Sequence, residues 1–201
     1  MTLPYDKVAV VVLASGLSTR FGDADKLMSP LNGYPLGAYV ADTFASHPRK
    51  FAVIGMAQTD RCGLFPGWPI IWNARPEDGQ GETLALAARR IMDTDAAAML
   101  ILLADMPFIT FKHMHALIEN AQNADVAIST DGKTQSPPAL FRRSVLPKLA
   151  GLTGDKGAKQ MLSAFRDLVK ISVTAKALLD VDTVADLKAI EHIHVAKKAE
   201  K

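Results

Sequence analysis

The sequence predicts an α/β domain built on an open, mostly parallel sheet with helices on both faces. Short apolar runs alternate along the chain with longer segments whose apolar residues recur at helical spacing, and the turns between them carry Gly, Pro and Asp. With 201 residues, 49% of them hydrophobic, the chain is long enough to bury one substantial core, and no compositional break marks a second.

The elements follow in order. Val8 to Leu13 is wholly apolar and rich in β-branched Val, too short to cross a membrane and typical of a strand covered on both faces. Pro35 to Ser46 carries Leu36, Tyr39, Val40 and Phe44 at helical spacing, with Pro48 beyond its end. Phe51 to Met56 and Pro69 to Trp72 read as strands, Thr83 to Met92 as a helix, and Met99 to Leu103 as another buried strand. Thr110 is the N-cap of a helix reaching Gln122, with Met114, Leu117, Ile118 and Ala121 on one face. Val126 to Ser129 and Pro138 to Phe141 are further strands, and the second is expected near a sheet edge because Pro137 and Pro138 carry no N–H for a ladder. A helix over Ala158 to Leu168, a strand over Lys170 to Val173 and a helix over Val184 to Ile193 complete the pattern. Residues 1–195 are thus expected to form one domain, with 196–201 a flexible C-terminal tail.

Composition excludes several classes of partner. The net charge of +2 is spread along the chain with no run of five basic residues, so no nucleic-acid surface is expected. The lone Cys62 cannot form an internal disulfide, and no CxxC or Cys/His cluster provides a zinc site. Without a charged-then-apolar leader or an apolar stretch of about 18 residues, the chain reads as a cytoplasmic protein with no membrane partner. The expected ligand is therefore a small molecule.

In such sheets ligands collect where strands end at their carboxyl edge. The first strand opens there into Ala14, Ser15, Gly16, Ser18 and Thr19, followed by Arg20, Gly22 and Lys26. A turn of small residues can lay backbone N–H groups against phosphate oxygens, and the two cations can neutralise a triphosphate. A P-loop is excluded because five residues separate Gly16 from Gly22 and Asp23 follows; a dinucleotide fingerprint is excluded because only Gly16 is in place. Asp105 leaves the Met99–Leu103 strand directly before Met106-Pro107, placed either to hold a magnesium ion or to cap a turn. Asp180 and Asp182, two apart on an extended segment, share a face, although either Asp182 or Thr183 could instead cap the last helix.

The first of these segments resembles the opening motif of the MobA- and MocA-like nucleotidyltransferases, the molybdenum-cofactor guanylyl- and cytidylyltransferases, roughly L-A-[AG]-G-x-S-x-R-[FM]-G followed by K. Leu13, Ala14, Gly16, Ser18, Arg20, Phe21, Gly22 and Lys26 match, and Ser15 departs. Asp105-Met106-Pro107 is similar to the family's D-x-P, and Asp180-Val181-Asp182-Thr183 with Asp186-Leu187 to its D-I-D-T-P-E-D-L. The similarity spans Val8 to Ile190 and implies a single Rossmann-like, three-layer α/β/α domain of the nucleotide-diphospho-sugar transferase type.

The resemblance also implies a site. Arg20, Lys26 and Asp105 are the expected catalytic residues; Asp105 and Asp182 are the expected magnesium ligands, Asp182 favoured over Asp180. Leu13, Ala14, Ser15, Gly16 and Ser18 join them around the nucleotide. Asn73, ending a strand, and Gly81 and Thr83, in a glycine-containing loop ahead of a helix, are expected nucleotide contacts, although the loop could serve the acceptor or be an ordinary glycine turn before a capped helix. Gly154-Asp155-Lys156-Gly157-Ala158 is similar to a family G-D-x-G-A on the acceptor side. Gln135 to Pro138 replaces the family's G-H-P, which alters the acceptor loop. At position 15 the family pairs Ala with cytidylyl and Gly with guanylyl transfer, so Ser15 leaves CTP only slightly favoured over GTP.

The expected reaction is therefore Mg²⁺-dependent transfer of a nucleoside monophosphate from CTP or GTP to a phosphorylated small molecule, molybdopterin first, with a sugar or polyol phosphate as the alternative. An acceptor phosphate is already ionised near neutral pH, which agrees with the absence of a catalytic triad or G-x-S-x-G elbow. A non-catalytic nucleotide-binding accessory in cofactor insertion is the alternative from another class; in either case transient contact with a molybdoenzyme or its chaperone is a conceivable partnership. The five histidines and Trp68 and Trp72 carry no expected role in the chemistry.

Overall fold

A computed structural model describes residues 3–121, 124–154, 165 and 167–193. Among them one sheet of seven strands contains β1 (Val8–Leu13), β4 (Lys50–Gly55), β5 (Ile70–Asn73), β6 (Ala98–Leu103), β7 (Val126–Thr130), β8 (Gln135–Arg142) and β9 (Leu168–Ser172), in the order β5-β4-β1-β6-β8-β7-β9. All are parallel except β8, which runs against both neighbours. The mostly parallel sheet is as the sequence predicts.

The alternating residues of β1 divide the core. Val8, Val10 and Val12 join a cluster with α1 (Ala38–Thr43) and α3 (Phe111–Ala121), whereas Ala9 and Val11 join α2 (Gln80–Met92) and α4 (Leu146–Ala150) on the other face. A third cluster, with Phe21, Leu31, Tyr39 and Phe108, seats Leu187 and Ile190 of α5 (Val184–Ile190). Thr183 and Asp186 form a reciprocal capping box that fixes the start of α5 immediately after Asp182.

Several boundaries differ from expectation, among them the last helix, which ends at Ile190 with Glu191 as C-cap instead of reaching Ile193. The strand containing Pro138 lies in the sheet interior, not at an edge. Ala139 pairs with Ile128 and Ser136 with Ser129, so Pro137 and Pro138 are surplus residues bulged between the two pairings, and pairing to β6 ends at Ala139. The first helix begins at Ala38, because Pro35 belongs to a hairpin of β2 (Pro30–Leu31) and β3 (Tyr34–Pro35) turned by Asn32 and Gly33, both at positive φ. Gln80 to Thr83 are the first turn of α2 rather than a loop, with Gly79 as N-cap at φ 93°. β9 starts at Leu168, where a helix was expected to end. Thr110 caps α3 as expected, its Oγ1 accepting from His113 N–H at 3.2 Å. Gln122, the tail at 196–201 and, but for Phe165, Asp167 and Leu168, the expected Ala158–Leu168 helix lie outside the described residues. No described helix is long and apolar enough to cross a membrane.

From β1 the chain proceeds toward β4 and β5; from β6 it proceeds to the opposite side of the sheet. The crevice between the carboxyl ends of β1 and β6 is therefore the topological switch point at which this architecture binds ligands.

Candidate active site

A cleft of about 570 Å³ opens at that switch point. One wall is the segment from Leu13 to Arg20, another is the beginning of α2, and Asp105 and Asp182 stand at the end of β6 and ahead of α5. Ala14 N–H continues the ladder to Val53 O at 2.9 Å, so the chain leaves the sheet at Ser15. Ser18 takes a left-handed φ of 56° and Gly22 one of 94°, which turns the loop back toward Lys26.

Four charged side chains meet in the cleft. Lys26 Nζ lies 2.6 Å from Asp105 Oδ2 and 3.5 Å from Asp182 Oδ1, and Arg20 Nη1 lies 3.0 Å from Asp182 Oδ2. Lys26 is nearly enclosed, whereas Arg20 is 73% exposed in its side chain and free to follow a ligand. Asp180 stands near the same charges: burial first, and then the negative charges of Asp105 and Asp182, push its carboxyl above the usual carboxylate range.

Asp105 Oδ1 is buried and has no hydrogen-bond partner among the described residues. An orphaned carboxylate oxygen beside a second aspartate fits a hard divalent cation. Among the described residues no group of three or more acidic, His or Cys side chains surrounds a possible metal position. Asp105 and Asp182 are the two carboxylates in the cleft that would face such a cation.

Behind the charges lies a neutral floor. Ser15 Oγ and Thr83 Oγ1 are 3.0 Å apart, and Asn73 Nδ2 donates to Thr83 Oγ1 at 3.1 Å and to Ser15 Oγ at 3.4 Å. Asn73 Oδ1 in turn accepts from Arg75 N–H at 2.9 Å. All three side chains are buried. Three segments distant in sequence are so joined, and Ser15 directs its hydroxyl at the protein.

Of the residues singled out in the sequence, Leu13, Ala14, Ser15, Gly16, Ser18, Arg20, Lys26, Thr83, Asp105 and Asp182 all line the one cleft. Asn73 lies beneath it. Gly81 is buried in the first turn of α2 with its N–H bonded to Gly154 O at 3.0 Å, away from the cleft lining; 155–158 lie outside the described residues. Sequence reasoning missed Arg61, Gln58 and Asp25, which hold the loop from behind. The available signal was position: Gln58 and Arg61 follow β4 at the same carboxyl edge. His113, expected to be without a role in the chemistry, is buried against Ser129 Oγ at 2.8 Å.

A mostly parallel sheet with a loop of small residues, two cations and two carboxylates at its switch point is the arrangement of a nucleotidyltransferase of the α/β class. The chain matches the MobA-like NTP transferase domain over residues 10–170 and belongs to that family. It is 30% identical over 176 residues to the purine catabolism protein PucB of Bacillus subtilis (strain 168), covering 82% of this chain and 83% of that one. To a molybdenum cofactor guanylyltransferase of Shewanella loihica it is 23% identical over 142 residues, 70% of this chain and 71% of the relative. The crystal structure of an rv0371c homolog from Mycobacterium sp. strain JC1 superposes with a TM-score of 0.80 at 28% identity, covering 94% of this chain and 96% of the other.

Proposed function

We propose that this enzyme transfers a nucleoside monophosphate from an NTP, CTP in preference to GTP, to the phosphate of a small acceptor, molybdopterin, and that the reaction requires Mg²⁺. The observation that carries the reading is Lys26 held between Asp105 and Asp182 at the end of a loop able to receive phosphate. The assignment of acceptor is supported by the motifs in the loops after β1 and β6 and by the S. loihica relative, whose name, molybdenum cofactor guanylyltransferase, points to that class of acceptor. The donor preference is supported by Ser15, which carries a Cβ as Ala does and leaves less room than Gly.

In this reaction an acceptor phosphate oxygen attacks the α-phosphorus in line, the bond to the oxygen bridging to the β-phosphate breaks, and pyrophosphate leaves. The nucleophile is already ionised, so the site needs alignment and charge neutralisation rather than a base. The residues agree: no His or Cys is among the described residues lining the cleft. Arg20 and Lys26 neutralise the triphosphate, and the loop amides orient it. Asp105 and Asp182 would hold Mg²⁺, which when bound would supply Lewis-acid polarisation of the α-phosphate.

The test is pyrophosphate release by the purified chain with Mg²⁺, each NTP in turn and a panel of molybdopterin, sugar phosphates and polyol phosphates. Release with CTP and molybdopterin is the expected result. Release only with another acceptor would replace molybdopterin and keep the chemistry; no release with any pair would overturn the reading.

A further inference from the structure

Arg61 is 2% exposed, deeper than any other cation among the described residues, yet it belongs neither to the sheet nor to the cleft lining. It stands in the 3-10 turn Thr59–Leu64 that follows β4. A buried guanidinium is costly unless its N–H groups are all met. Here they are. Nε and Nη2 form a fork on Asp25, at 2.7 Å to Oδ2 and 3.0 Å to Oδ1. Nη1 donates to Ala14 O at 2.5 Å and Gly16 O at 2.9 Å, and Nη2 reaches Ser18 Oγ at 3.5 Å. Gln58 Nε2 adds a second donor to Gly16 O at 3.0 Å.

These partners are the two ends of the loop. Ala14, Gly16 and Ser18 are its beginning. Asp25 precedes Lys26 and organises its end, accepting from Leu27 N–H at 2.9 Å through Oδ1 and from Ser29 N–H at 3.0 Å through its carbonyl. In a trans peptide the C=O and the following N–H point in opposite directions. Drawing the carbonyls of Ala14 and Gly16 onto Arg61 therefore turns the N–H groups of Ser15 and Leu17 away from it, toward the side on which these residues line the cleft. One side chain thus sets both the facing of the loop amides and the origin of the Lys26 side chain.

We propose that Arg61 is a positioning residue for nucleotide binding: through Asp25 and the carbonyls of Ala14 and Gly16 it clasps the two ends of the loop, so that amides and Lys26 meet the same triphosphate. This rests on the reading of the cleft as an NTP site. Arg61 itself touches no ligand. Lysine cannot replace it, because a point charge with a single head lacks the planar fork that spans Asp25 and two carbonyls together.

The experiment measures binding of Mg²⁺–CTP and Mg²⁺–GTP by calorimetry, with KM and kcat for the NTP, in the wild-type chain, Arg61→Lys, Arg61→Met, Asp25→Asn and, for a rescue arm, Arg61→Ala and Lys26→Met. All are compared at a temperature where circular dichroism shows each folded. The expected result is an NTP dissociation constant and KM raised about 10- to 100-fold in Arg61→Lys and Arg61→Met, by analogy with the loss when the residues that orient metal ligands are removed. Asp25→Asn, which breaks the clasp from its other side, should weaken binding in the same direction. Should Arg61→Met fail to fold, Arg61→Lys and Asp25→Asn carry the test. Millimolar guanidinium should restore part of the NTP affinity in Arg61→Ala and none in Lys26→Met. A lower Tm with unchanged NTP affinity and KM in the folded variants would make Arg61 merely structural and overturn the proposal. A wild-type chain that binds no NTP would instead overturn the site reading beneath it.

Discussion

Two ion-pair clusters of inverted charge sit at opposite ends of the sheet. At the amino end Asp95 lies between Lys7 and Arg49; at the carboxyl end Lys26 lies between Asp105 and Asp182. The shortest lysine contact is 2.6 Å in both. Beyond the sign of the excess charge, what differs is water. The Lys7 and Asp95 side chains are 40% and 62% exposed, against 10% and 18% for Lys26 and Asp105. Lys7 first and then Arg49 hold the Asp95 carboxyl well below the usual carboxylate range, yet an exposed pair is screened and contributes little. Contact distance alone therefore does not separate the two clusters; partial desolvation, with one carboxylate oxygen left unpartnered, does.

The contrast can be broken experimentally. The largest effect is expected from Asp105→Ala, which should lower kcat by about 10³-fold or more while circular dichroism stays native, since it removes charge stabilisation at the reacting phosphate. Near-normal turnover in that variant would refute the metal role. Lys26→Met should follow with about a 10²-fold loss in kcat/KM for the NTP, read from steady-state kinetics. A third test lies at the amino end, where burial pushes the His47 imidazole down to about 4, against an ordinary 6.5. The unfolded chain then takes up the proton first, so stability is full above pH about 6.5 and is lost as pH falls toward 4. The Tm of the wild-type chain should drop across that window, and His47→Gln should flatten the profile without changing turnover. The smallest effect belongs to Asp95→Asn, with unchanged kcat and a Tm within about 2 °C of wild type; a loss of activity there would abolish the distinction between the clusters.

Much of this was legible in the chain. The strand Val8–Leu13 and the loop after it are legible locally, whereas Asp105 after an apolar run could as well cap a turn and Asp182 the last helix, and only the resemblance of their motifs singles them out. Arg61 was not legible, since Thr59–Leu64 has no periodicity and its partners lie 36 to 47 positions away. The Ser15–Asn73–Thr83 floor was named residue by residue but not as a network, for hydrogen bonds spanning 58 and 68 positions leave no trace in spacing. The interior place of β8 was hidden by its prolines, whose exclusion from a ladder is satisfied by a bulge as well as by an edge. The Asn32-Gly33 pair did carry a hairpin signal, and it shortens the helix expected from Pro35.

The reversed direction of β8 also bears on how the chain assembles. Val8 of the central strand must find Ala98, across ninety positions, before β1 and β6 are joined. β7 and β8 need only close the turn between Thr130 and Gln135, where Gly132 takes φ 91° and Asp131 Oδ1 accepts from Lys133 and Thr134 N–H at 2.9 and 2.7 Å. Closing so short a loop costs the least chain entropy of any strand pairing in the sheet. The ribbon of β7 and β8 can thus form early from local contacts, leaving the long-range docking of β1 beside β6, and with it the cleft, as the slower step.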